Sequence, residues 1–297
     1  FFNSISTQFV SRPGSEGLFP EERGTFRNDS AVAMALGIPQ LKEEESDNYS
    51  FGVIWNPADS LSITVDYFNI EIKDRIAISG AISATNDAIP QEIRDVLLAN
   101  NIGAAQFFTN AGKTETEGVE AVLSWAREMG SGMFRLDASA AFISTDVSGE
   151  VNTDGLLEGL DDVIFTSQDR SIIEEWQPEN RGSVTGSYAL NNWLFLARLN
   201  YYGDYTIQEG NGSRQTFGSE WFPDVMVEYG FGDSGFAIQA GANNLTDTTP
   251  ERNLIVQSRD VSIPGIVDSP GVFSFSRRAA PFGFIVGFWY LKAIYRF

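Results

Sequence analysis

The end of the chain constrains its fold more than any other stretch. It reads APFGFIVGFWYLKAIYRF and runs to the final position. Every second residue gives Ile285, Gly287, Trp289, Leu291, Ala293, Tyr295 and Phe297, a row that is apolar, aromatic or glycine throughout. The other row ends Lys292, Ile294, Arg296. Alternate residues of a strand face opposite sides, so one face is wholly apolar and the other carries the charges. Chain ends of soluble domains are usually frayed and polar. A terminal strand with an unbroken oily face belongs against lipid, in a wall that needs its last strand.

Composition narrows the chemistry. The chain has 297 residues with neither Cys nor His. Disulfides, thiolate metal sites, Cys nucleophiles and His-based triads are therefore excluded. The net charge of −20 argues against phosphate-mediated binding of nucleic acid and against docking on an anionic membrane surface. No stretch reaches the roughly 18 apolar residues of a spanning helix. The longest uncharged apolar run, residues 279–291, is broken by Pro281, Gly283 and Gly287. The start, FFNSISTQFVSRPG, lacks a basic region before an apolar one and begins with Phe, so the chain is expected to be a piece of a longer protein.

Residues 1–46 look irregular, with one short helix expected near 30–36. From Tyr49 the pattern becomes strictly alternating. Tyr49, Phe51, Val53 and Trp55 precede a turn at Asn56-Pro57-Ala58-Asp59, and Leu61, Ile63, Val65 and Tyr67 follow. This is a hairpin by its period of two. The unit recurs. Val119, Ala121, Leu123 and Trp125 lead through a turn near 129–132 to Phe134, Leu136, Ala138, Ala140 and Phe142. Val184, Gly186, Tyr188 and Leu190 lead through Asn191-Asn192 to Trp193, Phe195, Ala197, Leu199 and Tyr201. Val225, Val227, Tyr229 and Phe231 lead through Gly232-Asp233-Ser234-Gly235 to Phe236, Ile238, Ala240 and Ala242. With the terminal strand the pattern predicts about nine strands.

The connections alternate in length. Between the short turns lie long segments, 74–108, 146–178, 203–220 and 246–281, the first with a short helix expected at Gln91–Ala99. Long structureless loops are rare in compact soluble domains. Short turns at one end and long loops at the other describe an outer-membrane barrel. Trp55, Trp125, Phe134, Tyr188, Trp193, Tyr229, Phe231, Phe236, Tyr295 and Phe297 all fall on the apolar row near the short turns, as one interfacial belt does. A soluble β-sandwich also alternates but has no reason to gather its aromatics at one height. The expected fold is therefore all-β: an antiparallel transmembrane β-barrel portion of about nine strands with short periplasmic turns and long extracellular loops.

Three local motifs point to chemistry and are outweighed. Gly230-Phe231-Gly232-Asp233-Ser234-Gly235 matches GxGxxG, but an alternating strand follows where a dinucleotide site needs a helix, so a hairpin turn is expected. Gly112-Lys113-Thr114 ends like a phosphate-binding loop but has Phe107 where that loop needs glycine. Residues 150–161 place acidic or amide residues in the rhythm of a calcium loop, yet Glu150 and Asp161 are the wrong residues at its ends, and a solvated acidic loop is expected. No carboxylate pair sits in an apolar setting, so neither catalysis nor a metal or other cofactor is expected. Asp66, Glu120, Arg135, Asp137, Arg198 and Glu228, with Lys292 and Arg296, fall on the polar row, which in a barrel faces a wet lumen.

Several stretches resemble the C-terminal part of TonB-dependent outer-membrane receptors. AMALGIPQLKEEESDNYSFGVIWNPADSLSITVDYFNIEIKDRI resembles the family's acidic residue and Ser before a Gly-containing strand, with its Asp66, Tyr67 and Asp74-Arg75-Ile76. AQFFTNAGKTETEGVEAVLSW resembles the strand bearing Gly-Val-Glu, here Gly118-Val119-Glu120. GANNLTDTTPE resembles the Asn-Leu-Thr-Asp signature, and the terminal YRF resembles the closing strand.

The resemblance implies a plugged barrel of about 22 strands, of which this chain would hold the last part. Residues 1–46 would be an extracellular loop region and 47–297 the C-terminal barrel portion, with the plug and earlier strands elsewhere. It implies an outer-membrane protein of a Gram-negative bacterium that takes up a scarce solute, such as a ferric siderophore or a glycan, with energy from TonB acting on the plug. Its partners would be outer-membrane lipid, TonB, that solute and the β-barrel assembly machinery, which would recognise the terminal aromatics Tyr295 and Phe297. A passive channel or surface-binding barrel and a soluble carbohydrate-binding sandwich are the other readings.

Overall fold

The computed structural model describes residues 4–11, 18–149, 155–209, 212–254, 275 and 286–296. In chain order the first strands are β1 (Ser4–Ser11), β2 (Leu18–Phe26), β3 (Glu45–Ala58), β4 (Leu61–Lys73), β5 (Ile76–Ile78) and β6 (Ile82–Ser83). β7 (Ile102–Asn110), β8 (Lys113–Met129), β9 (Gly132–Ser148), β10 (Asn180–Leu190) and β11 (Trp193–Tyr202) follow. The last are β12 (Tyr205–Gln208), β13 (Arg214–Phe217), β14 (Glu220–Gly230), β15 (Phe236–Asn243) and β16 (Phe288–Tyr295). The helices are α1 (Ala31–Leu36), α2 (Gln91–Ala99), α3 (Asp161–Ile164) and α4 (Ser167–Glu174). None of the described helices is long and apolar enough to cross a membrane.

Nine strands form one sheet in the order β16-β15-β14-β11-β10-β9-β8-β4-β3. Neighbours in the sheet are therefore neighbours in sequence, as a meander of hairpins requires. The order stops at β3 and β16, so the described wall is open. Two-residue turns join its hairpins at Asp59-Ser60, Gly130-Ser131 and Asn191-Asn192. The first turn starts three residues beyond the expected start, because Asn56, Pro57 and Ala58 continue β3. Gly232–Ser234 form a short 3-10 turn closed by left-handed Gly235, at φ 73°, so the GxGxxG match is a hairpin turn.

The contacts divide the chain into two compact units. Phe1–Asp47, Ile70–Glu115 and Thr145–Ile173 make the first, and Asn48–Asn69, Thr116–Ser144 and Glu174–Phe297 the second.

The first unit corrects the picture of structureless long loops. β1 pairs antiparallel with β2 inside the segment expected to be irregular. β2 pairs parallel with β7, and β5 and β6 pair antiparallel with β7. α1 occupies 31–36 as expected: the Ser30 hydroxyl accepts from the Ala33 amide and caps it. α2 occupies 91–99 as expected, turning Ile93 and Leu97 inward. Phe26, Leu36, Ile82, Ile93, Leu97, Phe107, Leu157 and Phe165 bury together as a hydrophobic core. Asn28 fastens the polypeptide by donating to the carbonyls of Pro39 and Phe108, at 2.8 and 2.9 Å. Asn110 does the same for Lys42 and Asp74, at 3.1 and 2.7 Å. These connections carry enough Ile, Leu and Phe to build a core of their own, which offsets the entropy of ordering them.

The second unit has the opposite character. Its strands keep their apolar row on one face, and that face is open: Phe51 is 71 % exposed, and Trp289 and Leu291 are each 76 % exposed. A sheet packs an apolar face against another layer, and large exposed apolar surfaces mark an interface with something else. The only apolar cluster buried to the same degree among the described residues here is small. Tyr205 stacks on Phe217 with centroids 5.0 Å apart, beside Ile207 and Trp176, in the β12–β13 hairpin.

Candidate functional site

Strand register sorts the side chains by face. Residues paired directly across antiparallel strands share a face. Phe134 pairs with Tyr188, Tyr188 with Phe195, Phe195 with Val227, Val227 with Ala240 and Ala240 with Leu291. One apolar rung thus crosses six strands. The belt expected from sequence is present as ring contacts near the short turns. Trp125 meets Phe134 at 5.7 Å, Trp193 meets Tyr229 at 4.6 Å and Phe236 meets Tyr295 at 5.7 Å. Phe297 lies outside the described residues.

A second set of aromatics, missed in sequence, lies farther from the short turns on the same face, within β3 and β4 and at the long-loop ends of β11 and β14. Tyr201 meets Trp221 at 4.5 Å, and Tyr49 meets Tyr67 at 6.4 Å. Their alternation was visible, but their shared height depends on how β3 pairs with β4 and β11 with β14. Two girdles bounding an apolar band are what a membrane-crossing sheet needs at its two interfaces.

The opposite face is polar, and the sequence-derived candidates fall on it. Arg135 Nε donates to Asp137 Oδ2 at 2.7 Å, and Ser124 Oγ donates to Asp137 Oδ1 at 2.7 Å. Glu228 accepts from Arg296 Nη2 at 2.8 Å and from Gln239 Nε2 at 3.3 Å. Arg198 Nε donates to Thr185 Oγ1 at 3.1 Å. Asp66 lies over Gly52, where an added Cβ would stand 1.9 Å from its Oδ1 and would displace the carboxylate. Glu120 is exposed. The candidates do not converge on one point: Asp137 and Glu228 anchor separate polar clusters. Ser124 and Gln239 complete those clusters and carry no signal in sequence beyond their parity.

The motifs behind the family resemblance prove to be packing devices. Gly118 lets the Phe68 ring cross β8, since an added Cβ would meet that ring at 2.6 Å. Asn244 receives Thr248 N–H on Oδ1 at 2.9 Å and donates Nδ2 to the Thr248 carbonyl at 2.7 Å. Its own amide donates to Asp224 Oδ1 at 2.8 Å, and Asp247 Oδ1 accepts from Gly287 N at 2.8 Å. The Asn-Leu-Thr-Asp stretch therefore ties the end of β15 to β14 and to the entry of β16. In the acidic stretch 150–161, residues 150–154 lie outside the described residues. Gly155–Leu157 is a 3-10 turn that buries Leu157, and Asp161 opens α3. Among the described residues no group of carboxylates is placed to hold a metal ion.

Two concavities mark the two faces. One of about 530 Å³ runs along the apolar rungs between Phe134, Phe195 and Trp289. The other, about 370 Å³, is lined by Glu120, Ser139, Arg181, Ser183, Asn200 and Tyr202 of the polar row. Arg181 was not among the expected site residues.

A meander with one apolar and one polar face, its apolar face carrying two sets of aromatics, is part of the wall of a transmembrane β-barrel. The chain belongs to the TonB-dependent receptor-like β-barrel family, whose model matches residues 2–245. Among solved structures it is similar to the ferric enterobactin receptor PfeA of Pseudomonas aeruginosa, with a TM-score of 0.51 and 16 % identity over 86 % of this chain and 31 % of that one. It is also similar to the outer membrane transporter YddB from Escherichia coli, with a TM-score of 0.50 and 13 % identity over 71 % of this chain and 30 % of that one. At such identity the likeness shows the fold alone. The chain spans about a third of the length of these structures. Comparison with curated proteins gave no match.

Proposed function

We propose that this chain is the C-terminal portion of the barrel of a TonB-dependent outer-membrane transporter, which takes up a scarce solute such as a ferric siderophore or a glycan. What supports the reading most is the family match over residues 2–245, joined to a sheet that meanders in sequence order with one unbroken apolar face. On this reading the apolar face meets outer-membrane lipid of a Gram-negative cell and the polar face lines the lumen. Residues 1–46 are an extracellular loop region, and 47–297 the C-terminal barrel portion. The plug that engages TonB and the earlier strands lie outside this chain. The β-barrel assembly machinery recognises Tyr295 and Phe297, and the protein binds and moves its solute without catalysis.

The test is uptake by cells making the full-length receptor, with and without TonB. Solute accumulation that depends on both the receptor and TonB is the expected result. Passage through the receptor that is indifferent to TonB would replace the transporter with a passive channel.

A further inference from the structure

The polar face between β10 and β11 carries a short ladder that no other feature of the wall accounts for. Arg181 pairs across with Tyr202, Ser183 with Asn200 and Thr185 with Arg198. On the other side Ser183 pairs with Ser139 of β9. Ser183 Oγ donates to Asn200 Oδ1 at 3.0 Å, and Asn200 Nδ2 donates to Asp224 Oδ2 at 3.3 Å. Asp224, which stands directly across from Arg198, also accepts the Asn244 backbone N–H at 2.8 Å. The Arg181 side chain has neither an ion pair nor a hydrogen bond among the described residues. Arg198 has only the Thr185 hydroxyl. Elsewhere on the same face Arg135 and Arg296 are both paired with carboxylates, at 2.7 and 2.8 Å.

We propose that Arg181, Ser139 and Glu120 form a subsite for a hydroxylated solute bearing a carboxylate; this rests on the reading above that the polar face lines the lumen. The concavity they share, about 370 Å³, falls in the size range of small-molecule sites. The guanidinium of Arg181 presents a planar fork of donors that matches a carboxylate in two parallel bonds, which a lysine does not reproduce. Ser139, two residues along β9 from the Ala141 that faces Arg181, lines the same concavity and offers its hydroxyl as a further donor. Glu120, also without a partner among the described residues, is acceptor-only when ionised and takes hydroxyl donors of the same solute. Small residues at Ala141, Ser139 and Ser183 keep the floor low. Arg181 and Tyr202 lie at the long-loop ends of β10 and β11, where a solute from outside first meets the wall. The opposed charges of Arg181 and Glu120 select for position: a carboxylate placed at Glu120 is repelled, and a neutral sugar leaves Arg181 unpaired.

The experiment uses the full-length receptor in lipid nanodiscs and titrates it calorimetrically with D-galacturonate, D-gluconate and neutral D-galactose. Both acids are expected to bind saturably, and galactose is not. Arg181→Ala should raise the Kd of the acids at least tenfold, Arg181→Lys should fall between, and Glu120→Gln should weaken binding severalfold. Thermal unfolding should be unchanged in all three. Equal binding of galactose and galacturonate, or acid binding indifferent to Arg181→Ala, overturns the subsite. So does a loss of thermal stability in Arg181→Ala with acid binding intact, since Arg181 would then serve a carboxylate of the receptor itself. An Arg181→Cys variant, read against the unsubstituted receptor treated with the same reagent, reports on the face separately. Labelling by a membrane-impermeant thiol reagent, with no acid binding in the unsubstituted receptor, defeats the subsite and leaves the transporter reading standing. Absence of labelling defeats the lumen assignment and the subsite together.

Discussion

Arg296 reaches back across β15 to Glu228 of β14, Nη2 to Oε1 at 2.8 Å, between residues 68 positions apart. The contact pins the end of the last strand to the polar face two strands away. The Glu228 side chain is only 11 % exposed, whereas that of Arg296 is 62 % exposed. Removing the arginine therefore leaves a mostly buried acid with Gln239 alone. Arg296→Ala is expected to cost about 1–3 kcal/mol, and Glu228→Gln less, because the amide keeps an acceptor for Arg296. Urea unfolding of the full receptor in lipid vesicles measures both.

The two faces are separable by a pair of adjacent substitutions in β11. Ala197 lies on the apolar rung between Gly186 and Val225, and Leu196 on the polar side between Ser187 and Met226. A lysine on a lipid face near mid-membrane costs about 2–4 kcal/mol. Ala197→Lys should therefore lose that much stability in vesicles, and Leu196→Lys less than about 1 kcal/mol. Equal losses would reverse or abolish the assignment of faces.

Assembly in cells is expected to depend on the terminal aromatics. Tyr295 packs its ring on Phe236 at 5.7 Å, and burying an aromatic is worth roughly 1.5–3 kcal/mol. Tyr295→Asp and Phe297→Asp should each lower the heat-modifiable receptor in isolated outer membranes well below the level of a Lys292→Ala control. Variants that assemble like the control would show that the terminus carries no assembly signal.

The core of the first unit should fail locally. Leu97 is fully buried, on the inner face of α2. Leu97→Ala is expected to cost about 2–5 kcal/mol and to open residues 74–110 to limited proteolysis, while heat-modifiability of the barrel persists. Simultaneous loss of both would mean that this core and the wall fold as one.

Tyr205 supplies a prediction in pH. Burial, helped by the negative charge of Glu251, pushes its hydroxyl from 10.0 up to about 12. The folded state thus favours the neutral phenol. Its contribution is full below pH 10, and it is lost as the unfolded chain ionises first, between about 10 and 12, with a total of about 2–3 kcal/mol. Stability should fall across that window in the receptor and fall less in Tyr205→Phe. Ultraviolet absorbance of phenolate should show that the component Tyr205→Phe removes from the folded receptor titrates at higher pH than tyrosine in the unfolded chain.

Alternation along each strand determined most of the wall. The parity of Leu61, Ile63, Val65 and Tyr67, or of Val225, Val227 and Tyr229, assigns each side chain to a face without knowing any partner, because strand geometry has a period of two. For the same reason Asp66, Arg135, Asp137, Arg198 and Glu228 could be placed on the polar face, and α2 followed from the helical spacing of Ile93, Val96 and Leu97. Tertiary structure decided what depends on distance across the sequence. Strand pairing brought Tyr201 to Trp221 and so made a second girdle. It joined Arg296 to Glu228 over 68 residues and left Arg181 unpaired beside Glu120. It also drew β2 alongside β7 and closed Phe26 onto Phe107, at 6.2 Å, building a core from segments that look like loops. Periodicity is local because it reflects the backbone's own geometry. Contacts between distant residues reflect which pairings bury the most apolar surface and satisfy the most backbone groups, and no single segment contains that information.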